Sequence, residues 1–127
     1  MRLLSDTGNQ IRVLALGGEI DLPFAPVFRA LLEEKREVPG EALVLDLSEV
    51  GFIDSSGIAV IIQYLRAATR NRGIFCIGGM SPAVKEIFDV IHLQRAMPLF
   101  ETREAALQTI AAKRLADPNN PLFTPTD

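Results

Sequence analysis

Residues 43–72 read LVLDLSEVGFIDSSGIAVIIQYLRAATRNR, and this stretch constrains the fold more than any other part of the chain. Leu43 to Leu47 is a short run rich in branched apolar residues, the pattern of a buried strand. Val50 to Phe52 leads into Asp54, Ser55, Ser56 and Gly57. From Ile58 the apolar residues recur at Ile58, Ile61, Ile62 and Leu65, the spacing of one helix face. A strand, a turn and a helix therefore follow one another. Two hydroxyls and a carboxylate sit at the joint.

The flanking sequence repeats the alternation. Arg2 to Ser5 and Ile11 to Leu16 read as strands, joined by the turn formers Asp6-Thr7-Gly8-Asn9. Gly17-Gly18 is expected to end the second strand. Asp21 is a candidate N-cap ahead of Pro23 and Pro26, and Val27, Phe28, Leu31 and Leu32 predict a helix to about Glu37, stopped by Pro39-Gly40. Asn71-Arg72-Gly73 closes the central helix. Ile74 to Ile77 is a fourth strand, expected to break at Gly78-Gly79. Ser81 and Pro82 then start a helix with Val84, Ile87 and Phe88 facing inward. A weak strand around Met97 to Phe100 precedes a helix capped by Thr102 and running to about Leu115, with Leu107, Ile110 and Ala111 inward. Residues 1–115 are expected to form one domain, and residues 116–127, with three prolines, a flexible tail. The order is β-β-α-β-α-β-α-β-α. That order implies an α/β fold: a mostly parallel, mixed sheet of four to five strands, an antiparallel edge, and about four helices mainly on one face.

Hydrophobic residues make up 48% of the 127 residues and aromatics only 6%, so the core must be built from Leu, Ile, Val and Ala. The net charge is -3 with no basic stripe, which argues against direct nucleic-acid binding. No apolar run approaches a membrane span, so no membrane insertion is expected. The start, MRLLSDTGNQ, lacks the pattern of a signal peptide. With the single cysteine, Cys76, unable to form an internal disulfide, the expected address is the cytoplasm.

Enzymatic uses are poorly supported. Ser55 lacks the first glycine of a nucleophile elbow, and nothing in the sequence brings His92, the only histidine, to it. Neither double glycine fits a phosphate-binding loop, and no spaced cluster of metal ligands appears. The chain is expected to be no enzyme and to hold no cofactor or metal. Asp-Ser-Ser-Gly keeps two compatible readings. It is a helix cap, or it offers a hydroxyl that carries phosphate where free amides and the helix dipole favour an anion.

Leu45-Asp46-Leu47-Ser48, followed by Phe52-Ile53-Asp54-Ser55-Ser56-Gly57-Ile58, resembles the central motif of STAS domains, most closely the bacterial anti-sigma factor antagonists. Gly18-Glu19-Ile20-Asp21 and Met80-Ser81-Pro82-Ala83-Val84 with Ile87-Phe88 resemble two further segments of that family, in the right order. The likeness covers about Val13 to Leu107. Ala59 and Pro23-Phe24 are mild departures. The resemblance implies a STAS fold and a phosphorylation switch. The partner would be an anti-sigma factor with GHKL-type serine kinase activity, which modifies Ser55, ahead of Ser56. The unmodified chain binds that partner and so releases a sigma factor; a PP2C-type phosphatase resets the switch. Asp21, Asp54, Ser55, Ser56 and Gly57 are the implied partner-binding residues, on a monomer or weak dimer. The alternative the family offers is an unphosphorylated STAS adaptor subunit of a membrane lipid or anion transport system.

Overall fold

The computed structural model describes residues 2–7, 11–34 and 42–116. Its elements are β1 (Arg2–Thr7), β2 (Ile11–Ile20), α1 (Ala25–Glu33), β3 (Ala42–Ile53), α2 (Ser55–Arg70), β4 (Ile74–Met80), α3 (Pro82–Ile91), β5 (Leu99–Phe100) and α4 (Arg103–Ala116). Short 3-10 turns at Leu22–Phe24 and Leu93–Arg95 precede α1 and β5. One five-stranded sheet has the order β1-β2-β3-β4-β5. β1 is antiparallel to β2, and the other pairs are parallel. The expected element order and the mixed α/β sheet are both present. The loop at Pro39-Gly40, the turn at Gly8-Asn9 and the tail from 117 onward lie outside the described residues.

Alternation along the central strands divides the core. Leu14, Leu16, Leu43, Leu45, Phe75 and Ile77 face α1, α2 and α3. The intervening Val13, Val44 and Cys76 face Ala106 and Ile110 of α4. Among the described residues, three helices thus share one face, and α4 covers the other. Period 2 in the strands and period 3.6 in the helices fix this arrangement. Within the larger core, Tyr64 of α2 packs edge-on against Phe75 of β4 at a centroid separation of 4.7 Å. Such a contact adds to the burial of both rings.

β1 takes in Asp6 and Thr7, which were expected in the turn, and three other strands also run past their expected ends. β2 continues through Gly17-Gly18 to Ile20, β3 passes Leu47 to reach Ile53, and β4 continues through Gly78-Gly79 to Met80. The double glycines bend these strands and do not terminate them. Gly79 has φ +104, and a Cβ there would lie 2.5 Å from Ser48 Oγ and 2.7 Å from Asp46 Oδ1. A Cβ on Gly78 would lie 2.5 Å from Val44 Cγ1, where α4 closes over the sheet. The pairing also shifts register between Ala15 and Gly17, between Gly18 and Glu19, and between Leu45 and Leu47. These irregularities are β-bulges, which add twist and re-aim the strand ends.

The helices also differ in detail from their expected faces. α1 ends at Glu33, because Glu34 has ψ 133 and turns out of the helix. Val27 is exposed, and the buried face of α1 is Ala25, Phe28 and Leu32. In α2 the buried stripe is Gly57, Val60, Ile61, Tyr64 and Ala68, with Ile58 and Leu65 at its margin. In α4, Ala106 is buried where Ala111 was expected. Ser81, Pro82 and Thr102 occupy their expected places: Ser81 Oγ accepts from Val84 N (3.2 Å), and Thr102 Oγ1 accepts from Ala105 N (3.1 Å).

One buried charge anchors α1. Arg12 of β2 is only 4% exposed. Its guanidinium donates to the carbonyls of Leu31 (2.6 Å), Leu32 (3.2 Å) and Glu34 (2.9 Å) at the helix C-terminus. Those carbonyls have no partner inside the helix, and they form the negative end of its dipole. Arg12→Met is therefore expected to lower unfolding stability by about 3 kcal/mol, from lost charge-assisted bonds and stranded carbonyls. Urea denaturation checks this; an unchanged midpoint would contradict it.

Candidate functional site

The five site residues expected from the sequence meet at the C-terminal end of the parallel strands. β2 and β3 run side by side to their ends, with Glu19 opposite Phe52 and Ile20 opposite Ile53. The backbone N–H of Asp54 then donates to Ile20 O (3.1 Å). Asp54 is the N-cap of α2, with extended backbone at φ -99 and ψ -177. Its Oδ1 accepts from Ser56 N (2.9 Å), Gly57 N (3.1 Å) and Ser56 Oγ (2.5 Å). Its Oδ2 accepts from the Leu22 N–H (3.1 Å). One carboxylate thus caps α2 and ties the loop after β2 to it. Asp21 lies inside that loop and caps the 3-10 turn through Phe24 N (3.3 Å).

Gly57 allows α2 to start this close to the sheet. A Cβ there would lie 2.7 Å from Ile20 Cγ2 and 2.8 Å from Ile53 Cγ1, both on branched, buried side chains. The last part of β3 is also braced by Ser81, the N-cap of α3. Ser81 Oγ donates to Val50 O (2.5 Å), and Ser81 N donates to Leu47 O (3.3 Å).

The two serines differ sharply. Ser56 is half-buried, and its hydroxyl is committed to Asp54. Ser55, the first residue of α2, is exposed, and its hydroxyl makes no hydrogen bond among the described residues. The expectation that free amides here would welcome an anion narrows to the amide of Ser55, which makes no bond among the described residues. The amides of Ser56 and Gly57 are already bound by Asp54, and that of Ile58 donates to Asp54 O (3.1 Å). Hydrogen bonds, the Ser56 hydroxyl foremost, hold the Asp54 carboxyl below its ordinary range against a smaller push from desolvation. Asp54 is therefore a fixed negative charge beside Ser55.

Two exposed apolar residues frame the turn, and the sequence reading did not single them out. Leu22 is 69% exposed and Phe52 46% exposed. Their apolar character looks like core until the topology places Leu22 in the turn after β2 and Phe52, exposed, at the end of β3. The signal that could have found Leu22 is its place between the capping Asp21 and Pro23, where no helix face yet exists.

The other candidates fall apart. His92 caps the far end of α3, about 15 Å of helix away from the Ser81 end. Burial pushes the Cys76 thiol up to about 11, which makes it inert. Among the described residues no cluster of metal-binding side chains occurs, and no helix is long and apolar enough to cross a membrane.

Two outcomes follow from the Asp54 geometry. In Asp54→Asn, either orientation of the amide faces one set of N–H donors with another donor, so the Leu22 or the Ser56 and Gly57 amides should exchange faster with deuterium. Because native bonds favour the carboxylate, its native pKa lies below the unfolded value of about 3.9. Its stabilisation is whole above that value and is lost as pH falls through the native one. The acid limb of a stability–pH profile should therefore flatten in Asp54→Asn. Separately, Gly57→Ala should destabilise by about 2 kcal/mol through overpacking on Ile20 and Ile53. A wild-type urea midpoint for Gly57→Ala would contradict this tight approach.

Comparison with known proteins agrees with this architecture. The STAS domain family matches residues 4–106. The anti-sigma F factor antagonist of Paenibacillus polymyxa is 27% identical over 100 residues, covering 76% of this chain and 84% of its own. The crystal structure of an anti-sigma factor antagonist from Mycobacterium paratuberculosis superposes with a TM-score of 0.75 at 25% identity, covering 87% of this chain and 93% of that one. A sulfate transporter family protein from Wolinella succinogenes shares the fold, with a TM-score of 0.71 at 15% identity over 85% of this chain and 90% of that one. With a match running from within β1 into α4, on a sheet and helix arrangement of the same kind, the chain belongs to the STAS domain family.

Proposed function

We propose that this chain is an anti-sigma factor antagonist whose docking is switched off by phosphorylation of Ser55. The observation that carries the reading is the contrast within the serine pair: Ser55 is exposed with an uncommitted hydroxyl, whereas Ser56 is bonded to Asp54. A kinase can reach the first without breaking the cap of α2. The named relatives support the same direction, since those at least 25% identical to this chain are antagonists of anti-sigma factors. In this reading the chain works in the cytoplasm and performs no chemistry of its own. Its partner is an anti-sigma factor with GHKL-type serine kinase activity, which supplies the ATP. A PP2C-type phosphatase removes the phosphate.

The physical basis of the switch is local. Phosphate brings about two negative charges. The amides of Ser56 and Gly57 cannot receive it while Asp54 holds them. Docking would then have to desolvate a dianion beside a carboxylate, with no more than the Ser55 amide of this chain to compensate. A penalty of about 4 kcal/mol lowers affinity roughly a thousandfold. No refolding of the antagonist is needed.

The adaptor reading, a subunit of a membrane transport system, shares the fold with the transporter-family structure. It gives no role to the uncommitted Ser55 hydroxyl, so the switch reading is preferred.

The test is incubation with the cognate GHKL-type kinase and ATP, followed by mass spectrometry and a binding titration. One phosphate on Ser55 is expected, absent in Ser55→Ala, with Ser55→Asp binding the kinase far more weakly than the wild type. No phosphate on Ser55, together with wild-type binding by Ser55→Asp, would overturn the reading. A turnover lost on changing Ser55 and His92 separately would contradict the non-enzymatic assignment.

A further inference from the structure

The rim around Ser55 combines negative charge with exposed apolar side chains, and the two together specify what can dock there. Between Val13 and Phe28, and again between Leu43 and Leu65, the chain contains no lysine or arginine. These segments supply the end of β2, the end of β3 and the start of α2. Glu19 and Glu49 are exposed, and Asp21 and Asp54 are partly so. Asp46, nearby on β3, is neutralised by Arg103 at 2.8 Å, but these four carboxylates pair with no cation among the described residues. Lys85 of α3 pairs with Asp89 at 3.3 Å.

The positive charge of α2 lies at its other end. Arg66 and Arg70 fall in the last five residues of a helix of 16 residues that Ser55 begins. At about 1.5 Å per residue, Arg70 is over 20 Å along the axis from Ser55. That exceeds two Debye lengths of about 8 Å at physiological salt, so those cations do not offset the rim. Leu22 and Phe52 lie within the acidic rim: Phe52 is paired with Glu19, and Leu22 is bonded through its N–H to Asp54.

We propose that this rim docks a protein surface that is basic and carries an apolar recess for Leu22 and Phe52. The inference rests on the reading that the partner docks over Ser55, and it adds the chemistry of that partner. Nucleic acid and an anionic membrane carry the same sign as the rim and are repelled. A second copy presenting the same face is repelled for the same reason. A basic protein surface is steered in by the carboxylates and held by the two apolar side chains. One consequence concerns the switch. A basic partner is attracted to phosphate at long range, so phosphate on Ser55 must act by obstructing the close contact.

The experiment measures association and dissociation rates of the full-length chain with its cognate GHKL-type kinase at low and high salt. Glu19→Lys combined with Glu49→Lys should slow association about tenfold at low salt, with a smaller effect at high salt. Leu22→Ser combined with Phe52→Ser should speed dissociation at least about tenfold and leave association near the wild-type rate. Both side-chain pairs are exposed, and circular dichroism checks that the variants fold. If the wild type binds and is phosphorylated on Ser55 while both double variants keep wild-type rates, this inference alone is overturned. If the wild type neither binds nor is phosphorylated, the underlying reading is overturned and this inference with it. If the chain self-associates at the same concentrations and the charge variant abolishes that, the occupant is the Arg66–Arg70 end of a second copy, and the proposal is wrong.

Discussion

The candidate site depends on one carboxylate meeting two segments at once. Asp54 caps α2 through one oxygen and holds the Leu22 amide through the other. Without that bond the loop after β2 would be joined to α2 only through packing. With it, Asp21, Leu22, Ser55 and Ser56 occupy fixed positions on a single rim. Gly57 makes the same arrangement sterically possible, because α2 begins with its backbone against Ile20 and Ile53. Cap and close approach together leave one hydroxyl outside the network, that of Ser55.

On the proposed reading, this economy lets a small chain act as a switch without moving parts. The sheet is sandwiched by α1, α2 and α3 on one face and α4 on the other. Arg12 pins the end of α1 from within β2. The N-termini of α2 and α3 and the turn before α1 all gather at the rim, where Ser81 also binds the backbone of β3. Such a scaffold holds a surface still. A modification on that surface would then change affinity directly, through desolvation and obstruction of the close contact, with no need of a conformational relay.

Much of this was legible in the sequence. The central strand–turn–helix announced itself through its apolar spacing and through the capping preferences of Asp54, and Ser81, Pro82 and Thr102 marked two more helix starts correctly. The pair of glycines at 17–18 and the pair at 78–79 misled, because glycine marks a chain end and a bulge equally well. Gly79 shows the second use, with a left-handed backbone and no room for a side chain. The bulges also hid the length of β3: a shift in register breaks the alternation that identifies a strand. Periodicity misassigned Val27 and Ala111 because it cannot say where a helix turns away from its sheet. Leu22 and Phe52 were missed for a related reason. An apolar residue declares its exposure only when the topology places it past the last strand residue, as for Leu22, or on an open face at a strand's end, as for Phe52. Arg12 gave no local signal, since its carbonyl partners lie at least 19 residues away in sequence. The choice of Ser55 over Ser56 came from the family likeness, and the hydrogen bond of Ser56 to Asp54 now gives it a physical reason.

The central claim is that the unmodified rim docks and the phosphorylated rim does not. It is tested most directly by calorimetric titration of the cognate kinase with fully phosphorylated chain, before and after treatment of the same sample with a PP2C-type phosphatase. The account expects binding to be weak before treatment and to recover by roughly a thousandfold after it. Equal affinity in the two titrations, with the phosphate on Ser55 verified by mass, would contradict it.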